Sequence, residues 1–402
     1  MGSFSRKLRR IAVTDSLFLH IINKLDNLIG KLARKMAYRK GKVVRNKVFV
    51  MTYDDTYSCN PKYIVEELLR RKLPLDIVCV TPEDEHADVS AFPMNVRLVQ
   101  RKSFEMFEEM ASARIWIDNA LSCVWYGMPK KKDQVYFNTW HGSMGIKKLG
   151  GPPSWLKRAK KCNALTDYCI TNSQFEENVF RSTFWPGVSF LPFGHARNDI
   201  LFDVMKRAEI RQEVCSALHI EDPESRLFLY APTFRDDKNM SWFDVDFAEV
   251  KKSLEQRFGG SWTILVRMHY KNRTVLAGRL PETEWLVDAT AYSDMQKLMA
   301  AVDAGMTDYS SWAYDYILTG RPLFLYAPDV KKYDQERGFY FPLESTPFPL
   351  AYNGEELLDA IRTFDETEYL RKVEVFLKDK GCYEDGHACE RIADKIEELT
   401  LK

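Results

Sequence analysis

No CxxC pair occurs among the eight cysteines of this 402-residue chain, and their nearest spacing is seven residues. The common zinc-binding and disulfide frameworks are therefore not implied, and reduced thiols in a cytosolic setting are expected. Long hydrophobic runs are missing as well. The uncharged run of the basic N-terminus, Ser16 to Asn23, is eight residues long and contains His20 and Asn23. It is too short to span a bilayer, and no small-residue cleavage site marks a secretory signal. No GxxxxGK[ST], strand-linked GxGxxG, HExxH or strand-end carboxylate pair of the DxD kind is found. These absences leave no motif-borne site for Mg²⁺ on a nucleotide, for a dinucleotide or for catalytic zinc. What the chain does have is 45% hydrophobic and 13% aromatic residues, enough to build cores that disordered and collagen-like chains cannot.

The near-neutral balance, 58 Lys/Arg against 57 Asp/Glu, conceals an asymmetry. Residues 1–47 carry 13 Lys/Arg and only Asp15 and Asp26, which leaves 45 basic and 55 acidic residues for the rest. A basic arm on an acidic body fits an anionic surface rather than nucleic acid, because the body repels phosphate and the arm has few aromatics. Within the arm Phe18, Ile22, Leu25, Ile29, Leu32 and Met36 recur every three or four residues, with Lys24, Lys31, Arg34 and Lys35 on the flank and back. The spacing predicts an amphipathic basic helix. Its stripe can dock on a membrane of anionic lipid or on the protein's own body.

From Val43 onward, short β-branched and aromatic runs alternate with helical patterns such as Lys62-to-Arg71 and Ser103-to-Ala113. The runs are Lys47-to-Thr52, Leu75-to-Val80, Val96-to-Val99, Arg114-to-Ile117, Val135-to-Thr139, Tyr168-to-Thr171 and Val188-to-Pro192. After a charged segment, Asp203 to Arg226, the rhythm restarts with Leu227-to-Tyr230, Thr263-to-Arg267, Trp285-to-Val287, Ala304-to-Met306 and Pro322-to-Tyr326. The expectation is an arm over 1–42, an α/β domain over 43–205 and a second over 206–402 that includes closing C-terminal helices.

Open parallel sheets bind ligands beyond the carboxyl ends of their strands, so the segments after each strand are the places to look. Four carry polar residues beyond the needs of a turn. In Trp140-His141-Gly142-Ser143-Met144-Gly145-Ile146-Lys147-Lys148, a strand-end His precedes glycines and a lysine pair, an arrangement for proton transfer beside phosphate. Arg235, after Ala231-Pro232-Thr233-Phe234, offers a planar fork for phosphate or carboxylate. Arg267, His269 and Lys271 alternate along one face of a continuing strand. Thr307-Asp308-Tyr309-Ser310-Ser311 opens a helical pattern that stops at Gly320, which suits an anion at a helix N-terminus. Together they describe a cleft for a diphosphate ligand. With no carboxylate pair for Mg²⁺, basic groups neutralise the phosphates, and a metal-independent transferase of a nucleotide-activated group follows.

In the order Thr139-Trp140-His141-Gly142 with Lys147-Lys148-Leu149-Gly150, Arg197-Asn198-Asp199, Ala231-to-Arg235, Arg267-Met268-His269, and Thr307-to-Ser311 with Asp315, the chain resembles a known family. This is the CDP-glycerol glycerophosphotransferase family, the teichoic acid primases and polymerases; Tyr333, Arg337 and Gly338 resemble its last block. Departures stand beside the site: Tyr270 and His195-Ala196 replace Pro and Tyr-Pro, and Ser143-Met144 replace Thr-Pro. The resemblance implies a GT-B-like fold, two Rossmann-like domains facing across a cleft, on the cytoplasmic face of the plasma membrane as a peripheral protein. It implies transfer of glycerol phosphate from CDP-glycerol to a hydroxyl of a lipid-linked or polymeric polyol-phosphate acceptor, with CMP leaving and no cofactor or metal. His141 is then the general base, while His269 and Arg235 steady the diphosphate. Thr307, Ser310 and Ser311 donate hydrogen bonds to it, Arg267 and Asp308 complete the donor side, and Gly142, Lys147, Arg197, Asp199 and Asp315 support. CDP-ribitol as donor, or a nucleotide sugar on the same scaffold, stays open.

Overall fold

Strands form where the apolar runs are, because helices cover both faces of each sheet and only near-continuous apolar segments tolerate that burial. The computed structural model describes residues 16–53, 55–84, 88–150, 153–233, 235, 244–268, 280–281 and 283–402. In the first half the strands are β1 Val44–Met51, β2 Asp76–Thr81, β3 Arg97–Gln100, β4 Ala113–Asp118, β5 Val135–Asn138, β6 Tyr168–Ile170 and β7 Ser189–Leu191. They lie in the order β3-β2-β1-β4-β5-β6-β7, every pairing parallel. In the second half β8 Arg226–Tyr230, β9 Trp262–Val266, β10 Leu286–Asp288, β11 Ala304–Thr307, β12 Leu323–Tyr326 and β13 Leu350–Ala351 lie in the order β10-β9-β8-β11-β12-β13, again all parallel. Each order reverses once, between β1 and β4 and between β8 and β11. Those two points are where an open parallel sheet leaves a crevice.

Alternation along the central strands divides the first core. Phe49, Met51 and Trp116 face helix Phe104–Ser112 through Met106, Phe107 and Met110. Val48, Val50, Ile115 and Ile117 face the other way, against Ile392, Ala393 and Ile396 of the last helix, Ala388–Leu401. That helix differs from the expected division at 206–402: it crosses back and seals the first sheet. Its stripe at three- and four-residue spacing fits the open face, and each buried Ile contributes about 1.5–3 kcal/mol. Asp199 fastens its start, accepting from the backbone N–H of Ala388 at 3.0 Å and Cys389 at 2.7 Å. The charged segment that separates the sheets forms helix Val204–Ala217, whose Ile210, Val214 and Cys215 join the second core.

The arm is a helix over Ser16–Lys40. It docks by its small residues, Ala33 and Ala37, against the core beside helix Phe104–Ser112, with the Arg34 guanidinium 5.6 Å from the Phe107 ring centre. The apolar stripe is not what the body takes up. Ile29, Leu32 and Met36, with Leu28 beside them, remain 39–54% exposed. Phe18, Ile22 and Leu25, the start of that stripe, lie outside the residues whose side chains are described. No helix among the described residues is long and apolar enough to cross a membrane.

Candidate active site

His141 stands at the carboxyl end of β5, one strand from the reversal point of the first sheet. The turn that presents it is pinned from several sides. Asn138 Oδ1 accepts from the Trp140 N–H at 2.9 Å, and Asn60 Nδ2 donates to the carbonyls of Thr139 at 2.9 Å and Trp140 at 3.2 Å. Trp140 adopts φ +50°, a left-handed conformation that costs a non-glycine residue on the order of 1–3 kcal/mol. Its ring offsets that cost by packing among Phe180, Phe184 and Trp185 at 5.3–6.0 Å between centres. The imidazole emerges at the rim, 4.4 Å from the Trp140 ring centre and 5.2 Å from that of Tyr53, which follows β1. Nδ1 lies 2.6 Å from the carbonyl oxygen of Asn119, which follows β4. A carbonyl only accepts, so Nδ1 carries the proton and the basic lone pair resides on Nε2.

Beyond His141 the chain crosses to the other domain. Met144 and Ile146 are buried in the second core. Backbone bonds pair the strap with the 338–340 segment: Lys148 N–H donates to Gly338 O at 3.0 Å and Tyr340 N–H to Ile146 O at 2.8 Å. Gly145 lies against Ser311, where an added Cβ would sit 3.4 Å from the Ser311 Cβ. The pairing sets Lys147 into the seam beside Asp308, Arg235 and Arg337, and burial lowers its ammonium pKa to about 8. Lys147 has no hydrogen-bond or ion-pair partner among the described residues.

Arg197 is buried across the same seam. Its guanidinium reaches Asp315 at 2.9 Å and donates to the Gly142 carbonyl, while its backbone N–H donates to Asn60 Oδ1 at 3.1 Å. Arg197, Asp315 and Gly142 therefore hold the His141 loop in place. The Asp199 carboxylate caps the last helix.

The second domain departs most from expectation. Arg235 is only 8% exposed at its side chain and is clasped by Asp308 at 2.8 Å and Asp329 at 2.8 Å. It is sandwiched near the rings of Tyr309 and Tyr333, 5.0 and 4.7 Å away. Those carboxylates already neutralise the guanidinium expected to meet a diphosphate. Thr307 donates its hydroxyl to the Ala231 carbonyl at 2.8 Å, and Asp308 also accepts from the backbone N–H groups of Thr233 and Tyr309. Both hold the β8 and β11 loops together, because polar groups at a buried strand end must find partners. Ser310 and Ser311 are different: both are half-buried and neither hydroxyl has a partner among the described residues. The helix they open, Trp312–Tyr316, has five residues, so its dipole is far weaker than the sequence pattern implied. Arg267 donates from Nε to the Tyr292 carbonyl at 3.3 Å, and burial lowers its pKa. His269 lies outside the described residues. The structure thus gathers Lys147, Ser311, Asp308 and Arg235 at one seam, with Arg197, Asp315 and Gly142 behind His141.

Residues 32–398 match the family described as CDP-Glycerol:Poly(glycerophosphate) glycerophosphotransferase. The chain belongs to this family. A teichoic acid glycerol-phosphate transferase of Staphylococcus aureus is 30% identical over 399 residues, covering 92% of this chain and 99% of the relative. A teichoic acid poly(glycerol phosphate) polymerase of Staphylococcus epidermidis is 30% identical over 361 residues. The chain spans 48% of that polymerase and 54% of a Bacillus subtilis one, about half of each. Among solved structures, the wall teichoic acid polymerase TagF, in a histidine-to-asparagine variant soaked with CDPG, superposes with a TM-score of 0.80 at 26% identity, covering 95% of this chain and 97% of TagF. The S. aureus MnaA-UDP structure, at 13% identity and a TM-score of 0.53, shares the two-domain fold alone.

The sequence reading passed over two members of the site. Asn119 orients His141, and the signal was present: β4 ends in an Asp-Asn pair ahead of a helix, at a strand end like the others. Asn60, whose side chain pins the His141 turn, carried no comparable signal.

Proposed function

We propose that the chain transfers a glycerol-phosphate unit from CDP-glycerol to a hydroxyl of a lipid-linked or polymeric acceptor, in the synthesis of teichoic acid or a related cell-surface polymer. The observation that carries the reading is His141 at a strand end with Nδ1 held by the Asn119 carbonyl at 2.6 Å. That geometry supports Nε2 as the base, which takes the proton of the acceptor hydroxyl as the oxygen attacks the glycerol-bearing phosphorus. The bond from that phosphorus to the bridging oxygen breaks, and CMP leaves with the electron pair. Among the described residues Lys147, Ser310 and Ser311 have polar atoms to spare for the diphosphate, and the two serines keep the role the resemblance implies for them. Family membership and the full-length match to a glycerol-phosphate transferase support glycerol as the polyol.

Metal independence is part of the same reading. The carboxylates nearest the seam, Asp308, Asp329 and Asp315, are engaged by Arg235 and Arg197. The enzyme acts, on this reading, as a peripheral protein of the cytoplasmic membrane face, with the exposed stripe of the arm helix in the lipid interface.

The test is CMP release from CDP-glycerol, CDP-ribitol and a nucleotide sugar with a polyol-phosphate acceptor. CDP-glycerol should be preferred, and activity should persist in excess EDTA; loss that Mg²⁺ restores would sink metal independence. His141→Ala should lower turnover by at least about 10²-fold with CDP-glycerol affinity nearly intact, since the base acts on the acceptor. Wild-type turnover in that variant would remove His141 from the chemistry.

A further inference from the structure

Two large aromatic side chains, Tyr53 beside His141 and Trp125 beside Tyr53, are exposed. Tyr53, after β1, is 44% exposed and Trp125, on the short helix Ser122–Tyr126, is 40% exposed. Their ring centres lie 6.2 Å apart at 61°, and Tyr53 is the ring 5.2 Å from His141. Neither the Tyr53 hydroxyl nor the Trp125 indole N–H has a hydrogen-bond partner among the described residues. The segments that carry the rings are nonetheless locked to one another. Asp55, two residues past Tyr53, is 1% exposed and holds φ +59°. Its carboxylate accepts from the hydroxyl of Tyr126, the neighbour of Trp125, at 2.5 Å and pairs with Arg101 at 2.8 Å. A buried charge and a left-handed aspartate are costly features, and here they hold the two ring-bearing segments together.

The same short helix meets the arm. It ends at Gly127, φ +64°, and an added Cβ there would lie 3.6 Å from Arg34 Nε. The arm helix therefore passes next to the segment that carries Trp125.

We propose that Tyr53 and Trp125 form an acceptor subsite on which a sugar ring of the acceptor stacks, while the acceptor's reacting hydroxyl meets His141. This rests on the reading of His141 as the acceptor's base. The chemistry selects the ligand: a pyranose presents a flat face of C–H groups that packs on an aromatic ring, with hydroxyls at its edge for the Tyr53 O–H and Trp125 N–H. A bare polyol-phosphate chain is flexible and anionic, and has no such face.

The experiment compares two soluble acceptors that end in the same glycerol phosphate, one built on a glycoside and one on a short alkyl chain without sugar. Tyr53→Ala and Trp125→Ala should each raise KM for the glycoside acceptor about five- to tenfold and leave that for the alkyl acceptor little changed. Trp125→Phe should retain most of the glycoside preference. CDP-glycerol affinity, measured by calorimetry, should match wild type in all three and so reports that the fold and donor site are intact. Equal losses with both acceptors, or none with either, overturn the subsite while CMP release by the wild type still supports the transferase reading. If the wild type releases no CMP from CDP-glycerol with either acceptor, both fall.

Discussion

Lys147 shows how one residue's environment can tie donor binding to pH. An ammonium ordinarily titrates near 10.5; here burial pushes it down to about 8, with Arg235 and Arg337 adding to the fall and Asp308 opposing it. A diphosphate arriving at the seam would restore a counter-charge and favour the protonated form. The sign follows: below pH 8 Lys147 is charged and ready, whereas above it the site must take up a proton to bind. Affinity for CDP-glycerol should therefore fall as pH rises from 7 to 9, with proton uptake on binding near pH 8. Calorimetry in buffers of different ionisation enthalpy measures that uptake. Lys147→Met should bind more weakly and lose the uptake; uptake unchanged in that variant would place the titrating group elsewhere.

Elements differ in how far their sequence discloses them. The strands were legible because burial on both faces demands apolar runs, and β9, buried from Trp262 to Val266, is the plainest case. The two-residue β13 carries too short a run to read. The last helix displays its stripe but not its partner, so Ile392 and Ile396 could not reveal which sheet they seal. The pairing of the strap after His141 with the segment from Gly338 to Tyr340 was not legible, because the two are about 190 residues apart. In the site, the place of His141 after a strand was legible, whereas the ion pairs of Arg235 with Asp308 and Asp329 were not, because those partners lie 73 and 94 residues away along the chain. The arm belongs at this scale. Its docking through Ala33 and Ala37 leaves Leu28, Leu32 and Met36 outward, so changing those three to Ser should leave CDP-glycerol affinity and thermal stability near wild type. Binding to anionic vesicles should drop severalfold, since each side chain forfeits about 1 kcal/mol or more of apolar transfer. Cosedimentation measures it, and raising salt should weaken the wild type further. Aggregation or loss of donor affinity would instead assign the stripe to the core.

At the scale of the whole molecule, the two domains are joined by a buried polar seam whose charge depends on pH. Glu384 lies in the passage from helix Glu366–Lys380 to the last helix, and its carboxylate accepts from the His195 N–H at 3.1 Å and from Asn198 Nδ2 at 2.8 Å. Asn198 also donates to Asp315 of the second domain at 3.0 Å, beside the Arg197 pair. Burial raises Glu384 to about 7 against an ordinary 4.5. Burial alone would lower His195, but the Glu176 carboxylate 3.1 Å from its Nε2 reverses that, so its pKa is raised as well. For Glu384 the folded protein keeps a proton between about pH 4.5 and 7 that the unfolded chain has released, so stability falls as pH rises through that window. The His195 contribution is fully present below about 6.5 and is lost as pH rises through its folded value. Both act in one direction, and Glu384 alone accounts for roughly 3 kcal/mol. Glu384→Gln keeps an acceptor for His195 and Asn198 but removes the titration. Denaturant midpoints from pH 5 to 8 should therefore decline for the wild type and decline less steeply for the variant. An identical decline in the two proteins would show that the seam is not what titrates. Since Asn198 and Arg197 tie this seam to Asp315 and to the Gly142 carbonyl behind His141, a loosened seam should also reach the base, and turnover in the wild type should fall before global unfolding begins.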